Sequence, residues 1–180
     1  MLDDLHLRPW RATDADALRA AVLSTPGLDT QLGGADLRTV AQAASFIDTQ
    51  LSARANARNW AVVHDGTAVG NVGVSAIEHR HGTAWISYWL TSAARGRGLM
   101  TRALASVADL AFSEDIFRLE LGHRVNNPAS CRVATRAGFI PEGIERQKLR
   151  YGTERFDVEL HARLATDPAH GVDGLPIIDR

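Results

Sequence analysis

The chain has 180 residues, 45% hydrophobic and 23% charged, which describes one globular domain with enough apolar side chains for a sizeable core and sets aside a disordered or fibrous chain. Formal net charge is −1 and the pI is about 6.6, so no overall basic field draws the protein to nucleic acid or to an anionic membrane. Cys131 is the single cysteine, which excludes an internal disulfide; the opening MLDDLHLRPWRATD has no apolar signal core and no run approaches membrane-spanning length, so a cytoplasmic protein is the default expectation.

LHLRPW (5–10) reads as a first strand. Thr13 then takes the place of a helix N-cap, with Asp16 at the capping-box position and Leu18, Ala21 and Val22 at helical spacing. TPGLDTQLGG (25–34) is a loop rich in breakers, after which Asp36 is placed to cap a helix carrying Leu37, Val40, Ala44, Ile47 and Leu51 on its apolar side. NWAVVH (59–64) is a strand closed by the hairpin signal Asp65-Gly66. AVGNVGVSAIE (68–78) returns from it, with glycines that suggest bulges or close approach, and TAWISYWL (83–90) follows as a third strand. A helix over 98–112 turns Leu99, Ala103, Leu104, Val107, Leu110 and Ala111 inward. FRLELGHRV (117–125) is strand-like. NNPASCRVATRAGF reads as a short helix with Asn127 at N-cap, Pro128 at the first position and Gly138 just past the end. Residues 142–164 hold two strands around a turn near Tyr151-Gly152, and the remainder is a tail that Leu175, Ile177 and Ile178 can dock. This order predicts an α/β (α+β) fold: a mixed, mostly antiparallel sheet with flanking helices, in which the helix over 98–112 crosses between parallel neighbours.

The junction TSAARGRGLMTRAL (91–104) places Arg95, Gly96, Arg97 and Gly98 between a strand and a helix. The first turn of a helix leaves N–H groups unpaired and the helix dipole adds positive character, so such a junction suits an anion, and a pyrophosphate is a fitting occupant. Three phosphate carriers compete. A P-loop needs a lysine that is absent here. The dinucleotide fingerprint needs a third glycine where Thr101 stands. Coenzyme A is the third. A turn with solvated arginines is the alternative that G-x-G alone leaves open.

YWLTSAARGRGLMTRAL closely resembles motif A of the GNAT acetyltransferase superfamily, [QR]-x-x-G-x-[GA], read here from Arg95 to Met100 with Met100 in place of the small residue. SAIE, SYWL, NNPASCRVATRAGF and EGIER…YGTERFDVELHARL resemble the RimJ/RimL-type branch that acetylates protein N-termini, ribosomal proteins included. The likeness runs from about residue 5 to 164, which implies a single GNAT-like acyl-CoA N-acyltransferase domain over 1–164 and a tail over 165–180. It implies acetyl-CoA in a V-shaped opening between the strands 83–90 and 117–125. The pyrophosphate would sit on the loop Arg95, Gly96, Arg97, Gly98, Leu99, Met100 and Thr101. The pantetheine would lie along Trp89, Leu90 and Thr91, with Asn127 reaching it.

The implied reaction is direct attack of an amine on the thioester. A backbone N–H at Leu90 would polarise the carbonyl. Many members place a tyrosine seven residues after the asparagine; here that residue is Ala134, and Ser130 matches the serine of the ribosomal-protein branch as proton donor or hydrogen-bond partner of the thiolate. A helix-turn hydrogen bond is its plainer role. Glu78 is the leading base, through water, or a holder of a cationic amine; an exposed strand-end carboxylate is the alternative. Cys131 reads as structural, although a thiol at a helix N-terminus can be activated. No histidine spacing resembles a zinc set, His123 reads as structural, and no metal is expected. Tyr88, Trp85 and Trp89 read as core or site walls. The expected function is acetyl transfer to a primary amine, a ribosomal-protein-like N-terminus first, a small-molecule amine or antibiotic second; a non-catalytic acyl-CoA-binding domain is the reading from another class. A homodimer through the C-terminal hairpin or tail is a further expectation.

Overall fold

In a computed structural model, which describes residues 4–178, strands β1 (Leu5–Pro9), β2 (Arg58–His64), β3 (Thr67–Glu78), β4 (Thr83–Leu90), β5 (Arg118–Arg124), β6 (Ile140–Tyr151) and β7 (Glu154–Leu164) build one sheet. Residues 1–3 of the expected domain and 179–180 of the expected tail lie outside the described residues. The spatial order is β1-β2-β3-β4-β5-β7-β6, and every pairing is antiparallel except β4 with β5.

Helices α1 (Ala15–Ser24), α2 (Leu28–Gln31), α3 (Val40–Phe46), α4 (Leu99–Ser113) and α5 (Pro128–Arg136) cover the sheet. Alternation along the strands divides the apolar side chains between two cores. Val62 of β2 joins Leu7, Val72, Ile86, Leu104 and Phe139 in one; its neighbours Ala61 and Val63 join Trp10, Leu18, Leu28, Ile47 and Trp89 in the other. The crossover α4, which links β4 to β5 in the chain, buries Ala103, Leu104, Ala105, Val107 and Ala108 completely, which seats it on the sheet against β3 and β4. At Gly70 an added Cβ would lie 2.5 Å from the carbonyl oxygen of Trp89, so β3 carries glycine there because β4 approaches too closely for any side chain.

Two capping expectations give way to stronger partners. Thr13 lies inside a 3-10 turn (Ala12–Asp14), and Asp14 organises the entry to α1 instead. Its carboxylate accepts the Arg11 N–H at 2.9 Å and both arms of the buried Arg8 guanidinium at 2.7 and 2.8 Å. A desolvated arginine needs a bidentate acceptor more than a helix needs a hydroxyl cap. Asp36 pairs with Arg38, and α3 is capped by Thr39, whose hydroxyl accepts from the Gln42 N–H while the Gln42 side chain accepts from the Thr39 N–H. The breaker-rich loop 25–34 contains α2, and α3 widens after Phe46 into a π turn over Ile47–Leu51. The tail docks: Leu7 donates its N–H to Pro176 and accepts from Ile178, and Leu175 is buried beside Ser106 of α4.

Candidate functional site

β4 and β5 stay together for a short distance only. Thr83, Ala84 and Trp85 pair with Arg118, Leu119 and Glu120, and beyond that the strands diverge. The Thr91 N–H donates back to Val69 of β3, and backbone groups alternate sides along a strand, so the N–H groups of Leu90 and Tyr88 face away from β3, into the opening. Side chains take the matching carbonyls: Gln31 donates to Tyr88 O at 2.8 Å and Arg95 to Leu90 O at 3.2 Å. The result is a cleft of about 450 Å³ whose walls include Ile86, Tyr88, Leu121, His123, Asn127 and Ser130. Gly27, Thr30 and Gln31 at α2 close one side and Leu149, Tyr151, Glu154 and Phe156 of the β6–β7 hairpin another, so the two segments that flank it come from distant parts of the chain.

At the mouth of the opening, β4 runs through Thr91 and a 3-10 turn (Ser92–Ala94) into α4. Gly96 and Gly98 hold φ of 78° and 75°, the left-handed region that other residues enter at a cost. Both are exposed and an added Cβ would meet nothing within 4 Å, so the space over this turn is open. Gly98 caps α4 without a side-chain hydrogen bond, which leaves the first-turn N–H groups of Leu99, Met100 and Thr101 to an external acceptor. Arg97 reaches His64 at 3.1 Å. Met100, the departure from the motif, is buried in the core and does not crowd the loop. Trp89 likewise turns its side chain to the second core, 6.0 Å from the Trp10 ring, leaving only its backbone near the opening.

Asn127 caps α5, accepting the Ser130 N–H at 3.2 Å, and that turn aims Ser130 at β4. Tyr88 hydroxyl lies 2.8 Å from Ser130 Oγ and 3.1 Å from Ser130 O. Burial, the largest influence, pushes the Tyr88 phenol up to about 12, so it holds its proton at any ordinary pH. This hydroxyl pair was not legible in the sequence: Tyr88 sits in an aromatic strand, and only the crossover of α4 brings β4 opposite α5. Glu78 stands elsewhere. It faces Thr83 at the closed end of the V, and its carboxylate accepts the His81 and Arg80 N–H groups at 2.8 and 2.9 Å, which lowers its pKa. The fold thus gathers Leu90, Asn127, Ser130 and the Arg95–Thr101 loop around one opening and leaves Glu78 apart. The absence of a zinc-like spacing in the sequence does not extend to space, because His123, Cys131, Glu159 and His161 converge beside α5.

The family profile described as an acetyltransferase (GNAT) domain matches residues 4–140. The ribosomal-protein-serine acetyltransferase of Escherichia coli (strain K12) is 33% identical over 118 residues, 65% of this chain and 66% of that protein. A probable N-acetyltransferase, YjcK, of Bacillus subtilis (strain 168) is 44% identical over 86 residues, 47% of this chain and 48% of that one. The chain therefore matches somewhat under two thirds and about half of these two curated relatives. Among solved structures, Mycobacterium smegmatis RimJ in complex with CoA-disulfide superposes with a TM-score of 0.79 at 28% identity, covering 91% of this chain and 84% of that one.

Proposed function

Because this chain belongs to the GNAT acetyltransferase family, we propose that it moves the acetyl group of acetyl-CoA to the α-amino group of a protein N-terminus, on a ribosomal protein, by direct attack. The observation that carries this reading is the uncapped, open first turn of α4, which follows directly in the chain from β4, the strand that parts from β5. The diphosphate takes N–H bonds from the turn Gly96–Thr101, and the pantetheine runs inward along the open-side groups of Leu90 and Tyr88, against Asn127. Leu90 lies at the mouth and is not part of the cleft wall, whereas Tyr88 is beside Ser130. Leu90 N–H therefore serves the pantetheine, and the thioester carbonyl meets a donor deeper in, at Tyr88 N–H. Gln31 leaves Tyr88 O as the pantetheine arrives.

A neutral amine attacks the carbonyl carbon, the oxyanion is held by the backbone N–H, and the C–S bond breaks. Serine and a phenol held at about 12 are both far weaker acids than a thiol near ~8.5; net proton transfer from the phenol to the thiolate would run uphill by about 5 kcal/mol. Ser130 therefore donates a hydrogen bond to the departing sulfur, and Tyr88 orients Ser130. The acceptor enters as an ammonium and gives its extra proton to solvent water before attack; the proton the amine loses after attack reaches the thiolate through water. Glu154, exposed on the acceptor side of the cleft, supplies negative charge toward the incoming ammonium, and Glu78 has no part in proton transfer. A homodimer is part of the proposal, supported by Ile140 and Ile144, both 55% exposed on the edge strand β6. A cytoplasmic location goes with the acceptor.

The test is thiol release from acetyl-CoA with a panel of acceptors, followed by mass spectrometry of the product. Acetylation of Ser- or Ala-starting peptides at the α-amine supports the proposal. Turnover confined to polyamines or aminoglycosides favours a small-molecule enzyme, and CoA binding with no turnover across the panel favours a non-catalytic domain.

A further inference from the structure

His123 of β5, Glu159 and His161 of β7 and Cys131 of α5 place one ligand atom each within 4.8 Å of the others. His123 Nε2 and His161 Nε2 are 3.0 Å apart, and Glu159 Oε2 lies 3.0 Å from the second and 3.3 Å from the first. Both histidines are buried, the His161 side chain completely. Their Nδ1 atoms face backbone carbonyls, His123 toward Arg124 O at 3.1 Å and His161 toward Phe139 O at 3.5 Å. In the metal-free cluster either ring nitrogen can carry the proton: Nδ1 has a carbonyl to donate to, and Nε2 of His161 has the Glu159 carboxylate. Two imidazoles, a carboxylate and a thiol thus converge on one spot, a donor set of the kind that zinc takes. A divalent cation at its centre would take the place of the protons these groups share. Ring N–H groups tied to main-chain carbonyls are also the outer support that metal-ligating histidines use.

We propose that His123, Cys131, Glu159 and His161 form a tetrahedral divalent-metal site, with Zn²⁺ as its cation. Two imidazoles, a thiolate and a carboxylate neutralise a dication, which suits a buried position. A thiolate beside two imidazoles selects zinc over magnesium or calcium. Tetrahedral zinc with bonds near ~2.0–2.1 Å to N and O and ~2.3 Å to S spaces its N and O ligands by roughly 3.3 Å and its sulfur by roughly 3.6 Å, so the N and O atoms here need to part by a few tenths of an ångström and the Cys131 sulfur, within 4.8 Å of them, to draw in. Glu159, with 28% of its side chain exposed, gives the ion a way in. Four protein ligands leave no open coordination position, so the metal is a clamp and takes no part in the chemistry. It ties β5 and β7 to the helix turn that carries Ser130, the neighbour of Cys131.

The experiment uses the untagged full chain, stripped with a chelator and titrated with Co²⁺ and with Zn²⁺ while absorbance and melting temperature are followed. One Co²⁺ per chain is expected, with the visible bands of a tetrahedral site and a near-ultraviolet thiolate charge-transfer band that Zn²⁺ abolishes by displacement. Zn²⁺ is expected to raise the melting temperature of the stripped protein. Cys131→Ser is expected to remove the charge-transfer band and weaken Zn²⁺ binding at least tenfold. Glu159→Gln, which keeps the sulfur and both rings, is expected to keep the band and bind more weakly. A folded, stripped protein that takes up no Co²⁺, or one whose cobalt spectrum is the same in Cys131→Ser, overturns the site.

Discussion

Removing the Tyr88 hydroxyl, as Tyr88→Phe, separates orientation of Ser130 from the hydrogen bond that Ser130 gives to sulfur. The phenol contacts Ser130 Oγ at 2.8 Å and Ser130 O at 3.1 Å, and its ring packs against the main core. Phenylalanine preserves that packing. One neutral hydrogen bond contributes about 0.5–1.5 kcal/mol net, so kcat is expected to fall roughly 2- to 13-fold. Ser130→Ala removes a bond to a developing charge, about 1.5–3 kcal/mol, and is expected to lower kcat roughly 10- to 150-fold. Neither change touches the diphosphate turn, so KM for acetyl-CoA is expected to stay within about twofold. If Tyr88 acts only through Ser130, the double variant is as slow as Ser130→Ala alone. The assay is steady-state thiol release with a Ser-starting peptide for the wild type, both single variants and the double. Multiplicative losses in the double variant, or full activity in Tyr88→Phe beside a slow Ser130→Ala, would refute the orienting role.

Three further outcomes follow from the same geometry. Gly96→Ala places a methyl at a φ of 78°, in the open space over the turn; calorimetry is expected to give at least tenfold weaker CoA binding, and unchanged affinity removes the turn from the site. Glu78→Ala is expected to leave kcat within about twofold, because its carboxylate holds the 78–81 turn and lies apart from Ser130; a loss beyond tenfold that a change of pH recovers would restore it as the base. Burial raises the Tyr88 phenol from 10.0 to about 12, so the folded state binds that proton more tightly: the contribution is complete below pH 10 and lost between 10 and 12, about 2–3 kcal/mol in all. Chemical denaturation across that range is expected to lose this slope in Tyr88→Phe, and an unchanged slope contradicts the assignment.

Many local signals were legible where they fell on a single element, although the Thr39–Gln42 capping box of α3 and the short α2 were passed over. β4 occupies 83–90 as its apolar run indicates, and Asn127, Pro128 and Gly138 mark α5 as their backbone chemistry requires. The loop 91–98 declared itself by two glycines whose positive φ no other residue supplies at low cost. What stayed hidden depends on contacts between distant segments. Asp14 outranks Thr13 because Arg8, six residues earlier, is buried beside it. The Tyr88–Ser130 pair spans 42 residues, and the His123–His161 approach spans 38. No spacing rule along one element reports such a meeting; it follows from the parallel crossover and from the return of β7 between β5 and β6.

The most direct measurement of the central claim is a crystal structure with acetyl-CoA. The account predicts both phosphates on the N–H groups of Gly96–Thr101, the pantetheine between β4 and β5, and the sulfur within hydrogen-bond reach of Ser130 Oγ. A cofactor bound away from this turn, or with its sulfur remote from Ser130, contradicts it.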